Sequence, residues 1–405
     1  MEPEIGLRRE TGPDLEAIGS DPGLEAQIRA EIRRDGPMPF ARFMELALYD
    51  PDGGYYRSSV ARPGRGGDFL TAPELHPIFG QTLATAVDEI RIALDDPRPF
   101  TIREHGAGTG ALARPLLAEL RTRAPDAHLR YQPIEVDHRR LDDLASTLAD
   151  AGLKDLLEPA STDPIHGVVL ANEVLDALPV HRVRARAGTL RELAVTSDAH
   201  GAFNEIEIEP STPALAARLD AEGIRLVDGQ TAEICLDLDH WIATAAAGLR
   251  RGVLLLIDYG APAAELYDSH RRPDGTLMSY LRHRVGADPY GHVGRQDLTA
   301  HVDLTAVERA AHTAGLTTLG ITTQAEALMG LGIEERLRAV QADPGTTAEA
   351  YLLLRAALMR LLDPSAMGRF RVMAFGRDWP QEGAPLGLFG YRLPDRTRPA
   401  RTPPK

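Results

Sequence analysis

The fold is decided by the stretch PFTIREHGAGTGALARPLLAELRTR at residues 99–123. Its first part, PFTIREH, predicts a strand, and its last part, ALARPLLAELRTR, predicts a helix. Gly106, Gly108 and Gly110 lie between them and favour a tight turn at the end of the strand. A strand that runs through such a loop into a helix is typical of an α/β protein with a ligand site at the loop.

The segments further along the chain repeat this alternation. Strands are predicted at HLRYQPIEVD (128–137), HGVVLANE (166–173), GVLLLIDYG (252–260) and RFRVMAFG (369–376). Helices are predicted at 22–49, 76–95, 138–151, 231–248, 302–316 and 325–362. Strands that alternate with helices predict an α/β fold with a parallel sheet between helical layers. An antiparallel hairpin or meander is expected at 183–208.

We expect the chain to divide into three regions. They are an N-terminal helical region with a Gly-rich GGDF loop, packed on the main domain (1–99), the α/β domain (100–392) and a disordered tail rich in Pro and Arg (393–405). Insertions into the α/β domain are expected near 183–210, 262–300 and 325–362.

Composition limits the classes of partner. The 405 residues are 43% hydrophobic and 26% charged, which is ordinary for a globular protein, and the formal net charge is -14. A protein that binds duplex nucleic acid needs a basic face, so we expect no nucleic-acid partner. The balance is compatible with a cationic side chain as substrate, although net charge mainly reports solubility.

Cysteine content and hydropathy limit the compartment and the kind of site. The one cysteine, Cys235, excludes an intramolecular disulfide and a cysteine-based metal site, and we expect no metal. No run reaches the roughly 20 apolar residues of a membrane span. The polar, acidic N-terminus has no apolar signal segment. We therefore expect a cytoplasmic protein without a membrane span; its oligomeric state stays open.

The glycine loop fits two cofactors. As Gly106-x-Gly108-x-x-Ala111 it matches the dinucleotide pattern, in which a pyrophosphate docks at a helix N-terminus. As Glu104-x-Gly106-x-Gly108-x-Gly110 it matches the S-adenosylmethionine loop of seven-strand methyltransferases. The Glu104 carboxylate would repel a pyrophosphate and suits a cofactor that carries an ammonium group.

Acids follow the next two strands. Glu135 ends the second strand and can accept hydrogen bonds from both ribose hydroxyls, which either cofactor would need; Asp137 is the lesser candidate. After the third strand come Asn172, Glu173 and Asp176. Positions i and i+3 share a helical face, so Glu173 and Asp176 can hold a guanidinium or an amine together. The alternative is a surface turn in which the polar side chains cap a helix.

Seven motifs, in order, resemble one family. They are GPMPFARFMELALYDPDGGYY, GGDFLTAPELHPIFG, EHGAGTGALA, NEVLDALPVHR, LLLIDYG, GTLMSYLRHR and DLTAHVDLTAV. Over about residues 22–376 the chain resembles the MidA family of S-adenosylmethionine-dependent methyltransferases. The mitochondrial members of that family include a complex I assembly factor that methylates an arginine of a partner subunit. The chain departs from the family pattern at His105, where an apolar residue is usual.

The resemblance implies a Rossmann-like, seven-strand methyltransferase fold, S-adenosyl-L-methionine as methyl donor and S-adenosyl-L-homocysteine as product. The cofactor residues that it implies are Gly67, Asp68, Phe69, Thr71, Glu104, Gly106, Ala107, Gly108, Thr109, Gly110, Glu135 and Asn172. Asn172, Glu173 and Asp176 are implied at the methyl-transfer site, and His301 is a candidate proton acceptor there. Asp258, Tyr259 and Asp303 are implied to contact the substrate.

We expect an arginine side chain of a protein or peptide as the leading methyl acceptor. A small molecule, or a ribosomally made peptide methylated at another atom, is the alternative within the same enzyme class. A third hypothesis is an assembly factor that binds the cofactor without turnover. A dehydrogenase is disfavoured, because the sequence shows no acid/base set facing a nicotinamide.

Overall fold

The computed structural model describes residues 18–57, 71–282, 284–286, 288–380 and 386–391. The α-helices within these ranges are α1 (Pro22–Asp35), α2 (Phe40–Tyr49), α3 (Ala72–Leu75), α4 (Ile78–Ala93), α5 (Ala113–Arg123), α6 (His138–Asp150), α7 (Ala214–Ala221), α8 (Leu238–Ala247), α9 (Ala263–Leu266), α10 (Leu304–Thr313), α11 (Gln324–Gly330), α12 (Ile333–Ala342) and α13 (Ala348–Leu362). The strands are β1 (Met38–Pro39), β2 (Phe100–His105), β3 (Leu129–Ile134), β4 (Ile165–Asn172), β5 (His181–Arg186), β6 (Thr189–Ser197), β7 (Phe203–Ile208), β8 (Thr231–Ile234), β9 (Leu249–Asp258), β10 (Gly260–Ala261), β11 (Met278–Leu281), β12 (Arg284–Gly286), β13 (Asp297–Thr299), β14 (Val302–Asp303), β15 (Thr317–Thr323) and β16 (Arg371–Arg377).

The main sheet has the strand order β15-β16-β9-β4-β2-β3. β9, β4, β2 and β3 are parallel, and β16 is antiparallel to both of its neighbours, β9 and β15. The predicted α/β methyltransferase class is confirmed. The described residues hold six strands of this sheet where seven were expected. Beside β3, Leu157 forms a single parallel bridge with Tyr131.

Both faces of the sheet are buried. Within β4, Val168 and Leu170 pack into one core, and Val169 and Ala171 pack into the core on the opposite face. Successive side chains of a strand point to opposite faces, so a continuous apolar run is what a strand between two helical layers requires. The first core includes residues of α4, α5 and α13, and the second includes residues of α8 and α10.

A second, antiparallel sheet is inserted after β4. It contains β5, β6, β7 and β8 from the insertion, and β1 from the N-terminal region joins it by pairing with β6. The meander predicted at 183–208 is confirmed by the pairing of β5 with β6 and of β6 with β7. The helix predicted at 231–248 is wrong at its start. Residues Thr231–Ile234 pair with β5 as β8, and the helix begins only at Leu238.

The parallel strands bring their carboxyl ends to one edge of the sheet, where the predicted ligand residues lie. The expected start of the α/β domain at residue 100 coincides with the first residue of β2; the domain bounds stay a prediction. The tail expected at 393–405 lies outside the described residues. Among the helices described, none is long and apolar enough to cross a membrane. The described residues also contain no cluster of His, Cys, Asp and Glu suited to a metal ion.

Candidate active site

A cleft of about 340 Å³ opens at the sheet edge where β2, β3 and β4 end. The ends of these strands form one part of its wall. Residues distant in sequence form the rest, among them Tyr49, Tyr56, Glu74 and Trp241. Ligands of open α/β sheets bind outside the carboxyl ends of the strands, so this cleft is the candidate active site.

The glycine loop after β2 has a backbone that suits only glycine at two positions in the cleft wall. Gly106 has φ +67°, and a Cβ atom there would lie 2.8 Å from Cγ2 of Val174. Gly108 has φ +54° and no other heavy atom within 4 Å of an added Cβ, so its side faces open space. Gly110 is directed elsewhere, since its Cβ would meet Leu144 of α6 at 3.4 Å.

Glu135, just after β3, is tied to the glycine loop. One carboxylate oxygen accepts a hydrogen bond from the N–H of Gly108 at 2.9 Å, and the other accepts from the N–H of Val136 at 2.7 Å. A carboxylate offers about four lone-pair positions, so Glu135 can accept further bonds from a ligand in the cleft. Asp137 instead caps α6 by accepting from the N–H of Arg139.

Glu104, at the end of β2, is almost fully buried with 4% of its surface exposed. Its carboxylate accepts a hydrogen bond of 2.6 Å from the hydroxyl of Tyr131. Burial, with the nearby charge of Glu135, raises the pKa of Glu104 to about 8. A cation bound beside Glu104 would favour the ionised carboxylate and would be strongly attracted to it.

His105 also lines the cleft, and its ring packs edge-to-face on Trp241 with centroids 5.2 Å apart. Burial and the charge of Arg103 lower the pKa of His105 to about 4, so the imidazole is neutral near pH 7. The family's usual apolar residue is thus replaced by a neutral ring that packs on an aromatic neighbour.

The turn after β4 points a carboxylate into the cleft. Glu173 adopts φ +52°, the left-handed region that non-glycine residues rarely occupy. Its backbone N–H donates to the carbonyl of Ile257 in β9, which holds the residue in this conformation. Its carboxylate accepts from the N–H of Ala72 at 3.2 Å and from Nδ2 of Asn172 at 3.0 Å. Strain of this kind, held by surrounding contacts, is common at functional sites.

Asn172 has an acceptor to spare. Its Nδ2 is used by Glu173, but its Oδ1 is buried and accepts no hydrogen bond from the residues that the structure describes. A buried carbonyl oxygen without a donor costs about 1–3 kcal/mol. Because Asn172 lines the cleft, a ligand that brings an N–H or O–H group there would satisfy it.

Glu173 and Asp176 are held close together without a compensating cation. Burial, and then the charge of Asp176, raise the pKa of Glu173 to about 8. Burial raises the pKa of Asp176 to about 6, opposed by a hydrogen bond from Tyr259. In the part of the chain described by the structure, no Lys, Arg or His forms an ion pair with either carboxylate. Bound positive charge would lower both pKa values.

Asp258, at the end of β9, supports this turn from beneath. Its Oδ2 accepts from the backbone N–H groups of Val174, Leu175 and Asp176 at 3.1, 2.8 and 3.4 Å. Its Oδ1 accepts from the N–H of Tyr259 at 2.8 Å. Asp258 is 1% exposed and does not line the cleft. Its carboxylate therefore fixes the backbone on which Glu173 and Asp176 stand.

Replacing Asp258 with Asn is expected to lower the free energy of unfolding by about 2 kcal/mol, because the amide NH2 group that replaces one carboxylate oxygen cannot accept from a buried backbone N–H. The measurement is denaturant unfolding of the full chain. Asp268→Asn is the matched control, since Asp268 accepts from two backbone N–H groups in an exposed turn. Equal losses in both variants would contradict the special role of Asp258.

The structure does not bring four other predicted residues to the cleft, since Asp176, Tyr259, His301 and Asp303 do not line it. The hydroxyl of Tyr259 hydrogen-bonds to Asp176 behind the cleft wall, and its ring packs against His301 with centroids 5.4 Å apart. His301 and Asp303 line a separate cavity of about 20 Å³. Asp303 caps α10 by accepting from two backbone N–H groups. Burial lowers the pKa of His301 to about 4, so the ring is neutral near pH 7.

The remaining predicted residues divide between the cleft and the segments outside the described ranges. Ala107 and Thr109 of the glycine loop line the cleft, as does Thr71. Thr71 begins α3 and forms a capping box with Glu74. Gly67, Asp68 and Phe69 lie outside the described residues.

Comparison with known families shows which family the chain belongs to. The model of Methyltransf_28, a family of S-adenosyl-L-methionine-dependent methyltransferases, matches residues 82–322. The chain belongs to this family. The resemblance of its motifs to the MidA methyltransferases is confirmed, and so is S-adenosyl-L-methionine as cofactor.

Relatives of this methyltransferase match along nearly its whole length. A superfamily member from Burkholderia thailandensis, crystallised with S-adenosyl-homocysteine, is 37% identical with a TM-score of 0.81, over 93% of this chain and 96% of that one. The mitochondrial protein arginine methyltransferase NDUFAF7 homolog of Drosophila melanogaster is 30% identical over 92% of this chain and 87% of its own. The Homo sapiens protein arginine methyltransferase NDUFAF7 is 26% identical over 85% of this chain and 81% of its own.

The methyltransferase cleft includes aromatic residues that the sequence analysis did not select. Tyr49 and Tyr56 come from the N-terminal region, and Trp241 comes from α8. Tyr49 precedes the turn DPDGGYY and Tyr56 ends it, within a motif that carried the family resemblance. Aromatic residues beside a Gly-rich turn were the available signal, but nothing local shows that they reach the turn after β4, more than 100 residues away.

Proposed function

We propose that this methyltransferase transfers a methyl group to a guanidinium nitrogen of an arginine in a protein or peptide. The observation that carries the proposal is the carboxylate of Glu173, which lines the cleft with the charge of Asp176 nearby and, in the described residues, no cation paired with either acid. An uncompensated buried charge is costly, and a guanidinium would relieve it through paired hydrogen bonds. The names of the Drosophila melanogaster and Homo sapiens relatives support the same acceptor.

The residues present fit the cofactor. The open space beside Gly108 would let the cofactor approach the backbone closely, whereas a Cβ atom at this position would project into the cleft. The spare acceptor positions of Glu135 suit the two ribose hydroxyls, and Glu104 and the unused Oδ1 of Asn172 suit the ammonium group. We propose that these residues, together with Gly106, hold S-adenosyl-L-methionine.

The cofactor, when bound, supplies the methyl group as an electrophilic carbon on a sulfonium sulfur. The work left to the chain is to place a nitrogen beside that carbon and to remove a proton from it. Glu173 would orient the guanidinium, because its own position is fixed by three hydrogen bonds. Glu173 is also the carboxylate placed to accept the proton, because it lines the cleft, whereas Asp176 lies beside Tyr259 and does not.

The test is methylation of the source proteome by the purified full chain with isotopically labelled S-adenosyl-L-methionine. We expect label on a guanidino nitrogen of arginine, located by mass spectrometry of the labelled peptide. A synthetic copy of that peptide should be methylated, whereas copies with Lys or citrulline in place of the arginine should not. Label on a carboxylate or a small metabolite would overturn the proposal. Binding of S-adenosyl-L-homocysteine without turnover on any fraction would favour an assembly role instead.

A further inference from the structure

Two tyrosine rings form a continuous aromatic surface in the cleft. Tyr49 ends α2, and Tyr56 lies in the turn that follows. Their rings stack with centroids 5.5 Å apart and planes inclined by 24°. Both side chains are half-buried and both line the cleft. We call this pair the tyrosine wall.

The hydroxyl groups of the tyrosine wall are already used by the protein. Tyr49 donates to the carbonyl of Ala177 at 2.9 Å, next to the turn that carries Glu173. Tyr56 donates to Oδ1 of Asp297 at 2.9 Å. The hydroxyls are thus fixed by the scaffold, and the rings are what the wall offers to a ligand. A ring face attracts a cation.

One guanidinium already lies at this wall. The guanidinium carbon of Arg140 is 5.8 Å from the ring centre of Tyr56, within the range of a cation–π contact. Across the described ranges, the side chain of Arg140 forms no ion pair and no hydrogen bond, although Glu74 and Asp137 attract it at longer range. Few other groups therefore hold the Arg140 guanidinium against Tyr56, and a competing cation can displace it.

We infer that the tyrosine wall is the acceptor-binding surface of this enzyme, that it recognises a planar cation, and that Arg140 occupies it until the acceptor binds. The inference rests on the proposed arginine acceptor. A guanidinium can lie flat against a ring while its edge donates to a carboxylate such as Glu173, whereas an ammonium group has no flat face. Glu74, which also lines the cleft, adds negative charge to the same wall.

The first test measures turnover with the arginine peptide identified from the proteome. Removing a ring and removing Arg140 should change KM in opposite directions. Tyr49→Leu and Tyr56→Leu are expected to raise KM about tenfold with kcat changed less than threefold, since a partly desolvated cation–π contact is lost. Arg140→Ala is expected to lower KM about threefold, because a competing cation is removed. Tyr49→Phe and Tyr56→Phe should lie between wild type and the Leu variants.

Matched controls are Tyr351→Leu on α13 and Arg338→Ala on α12, neither of which lines the cleft. S-adenosyl-L-homocysteine affinity and melting temperature of each variant show whether the fold is kept. A general structural defect would not change KM in opposite directions. Any pattern other than a rise for the ring variants and a fall for Arg140→Ala overturns the inference.

The second test needs no turnover and separates this inference from the proposed function. Binding of butylguanidinium and of its neutral analogue butylurea to the enzyme loaded with S-adenosyl-L-homocysteine is measured by calorimetry. The wild type should prefer butylguanidinium, and Tyr56→Leu should reduce that preference. If this preference is seen but no arginine peptide is methylated, the proposed function fails and the wall stands. If butylguanidinium binds no better than butylurea, the wall is wrong whatever the acceptor.

Discussion

Glu173→Gln is expected to lower kcat/KM for the methyl acceptor by about a hundredfold to a thousandfold, as expected when one partner of a buried charge pair is lost. The affinity for S-adenosyl-L-homocysteine should stay within about threefold of wild type. Gln keeps the shape of the side chain and can still accept from Ala72 and Asn172. It cannot provide the negative charge that holds and orients a guanidinium. Steady-state kinetics with the arginine peptide and calorimetry with S-adenosyl-L-homocysteine measure the two quantities.

The same substitution should make the protein more stable at alkaline pH. The pKa of Glu173 is raised from an ordinary 4.5 to about 8, so between these values the folded chain keeps a proton that the unfolded chain releases. Stability from this group is therefore complete below about pH 4.5 and is lost as pH rises through about 8. Gln does not titrate. Above pH 8 the variant should unfold at higher denaturant concentration than wild type, and at pH 4 the difference should vanish.

Acceptor kinetics should show the opposite pH trend. A guanidinium stays charged over this range, so kcat/KM should rise with pH as Asp176 and Glu173 ionise, between about pH 6 and pH 8. Glu104 also has a pKa of about 8, so Glu104→Gln is the control that separates the two groups. The upper part of this rise should persist in Glu104→Gln and disappear in Glu173→Gln. An unchanged profile in Glu173→Gln would remove that carboxylate from acceptor binding.

Local chemistry explains why the side of the cleft that we propose for the cofactor could be predicted from the sequence. The positive φ angles of Gly106 and Gly108 follow from a turn within a few residues, and glycine is the residue that adopts them. Glu135 follows its strand directly. Parallel strands then bring their carboxyl ends to one edge, so a residue's place at the end of its strand predicts its place in the cleft.

The side of the cleft that we propose for the acceptor depends on contacts between distant segments. Asp258 appears in the sequence as an acid at a strand end, just as Glu135 does. Only the register of β4 against β9 places its carboxylate beneath the Glu173 turn, where backbone N–H groups use it. The tyrosine wall likewise depends on how α2 packs against the turn after β4, through the bond from Tyr49 to Ala177.

The error at 231–234 has a similar origin. Four residues that precede a helical pattern can extend a helix or form a short strand, and their local sequence does not distinguish the two. Here β5 offers an unpaired edge, and the ladder from His181–Ile234 to Arg184–Thr231 selects the strand. Buried contacts of Ala232 and Ile234 in a separate core complete the choice. Tertiary pairing therefore overrides the local helical pattern.

Glu135→Ala is expected to weaken the binding of S-adenosyl-L-homocysteine by about a hundredfold, because a charged acceptor contributes about 1.5 kcal/mol to each of two ribose hydrogen bonds. Glu135 also accepts from the N–H of Gly108. A loss of affinity greater than about a hundredfold would therefore indicate that the glycine loop moves as well. Calorimetry with S-adenosyl-L-homocysteine gives the affinity. The rise in melting temperature on adding this ligand gives an independent measure of it.

Asp137→Ala is the matched control for this prediction. Asp137 lies two residues from Glu135 and also lines the cleft, but its carboxylate caps α6. Its removal should cost about 1 kcal/mol of unfolding free energy, the usual value of a helix cap, with the ligand affinity unchanged within about twofold. The two variants thus separate an acid that binds ligand from one that stabilises a helix. Asp137→Ala could instead lower the affinity for S-adenosyl-L-homocysteine as much as Glu135→Ala does. In that case the geometry of the loop, and not the carboxylate of Glu135 alone, sets the affinity.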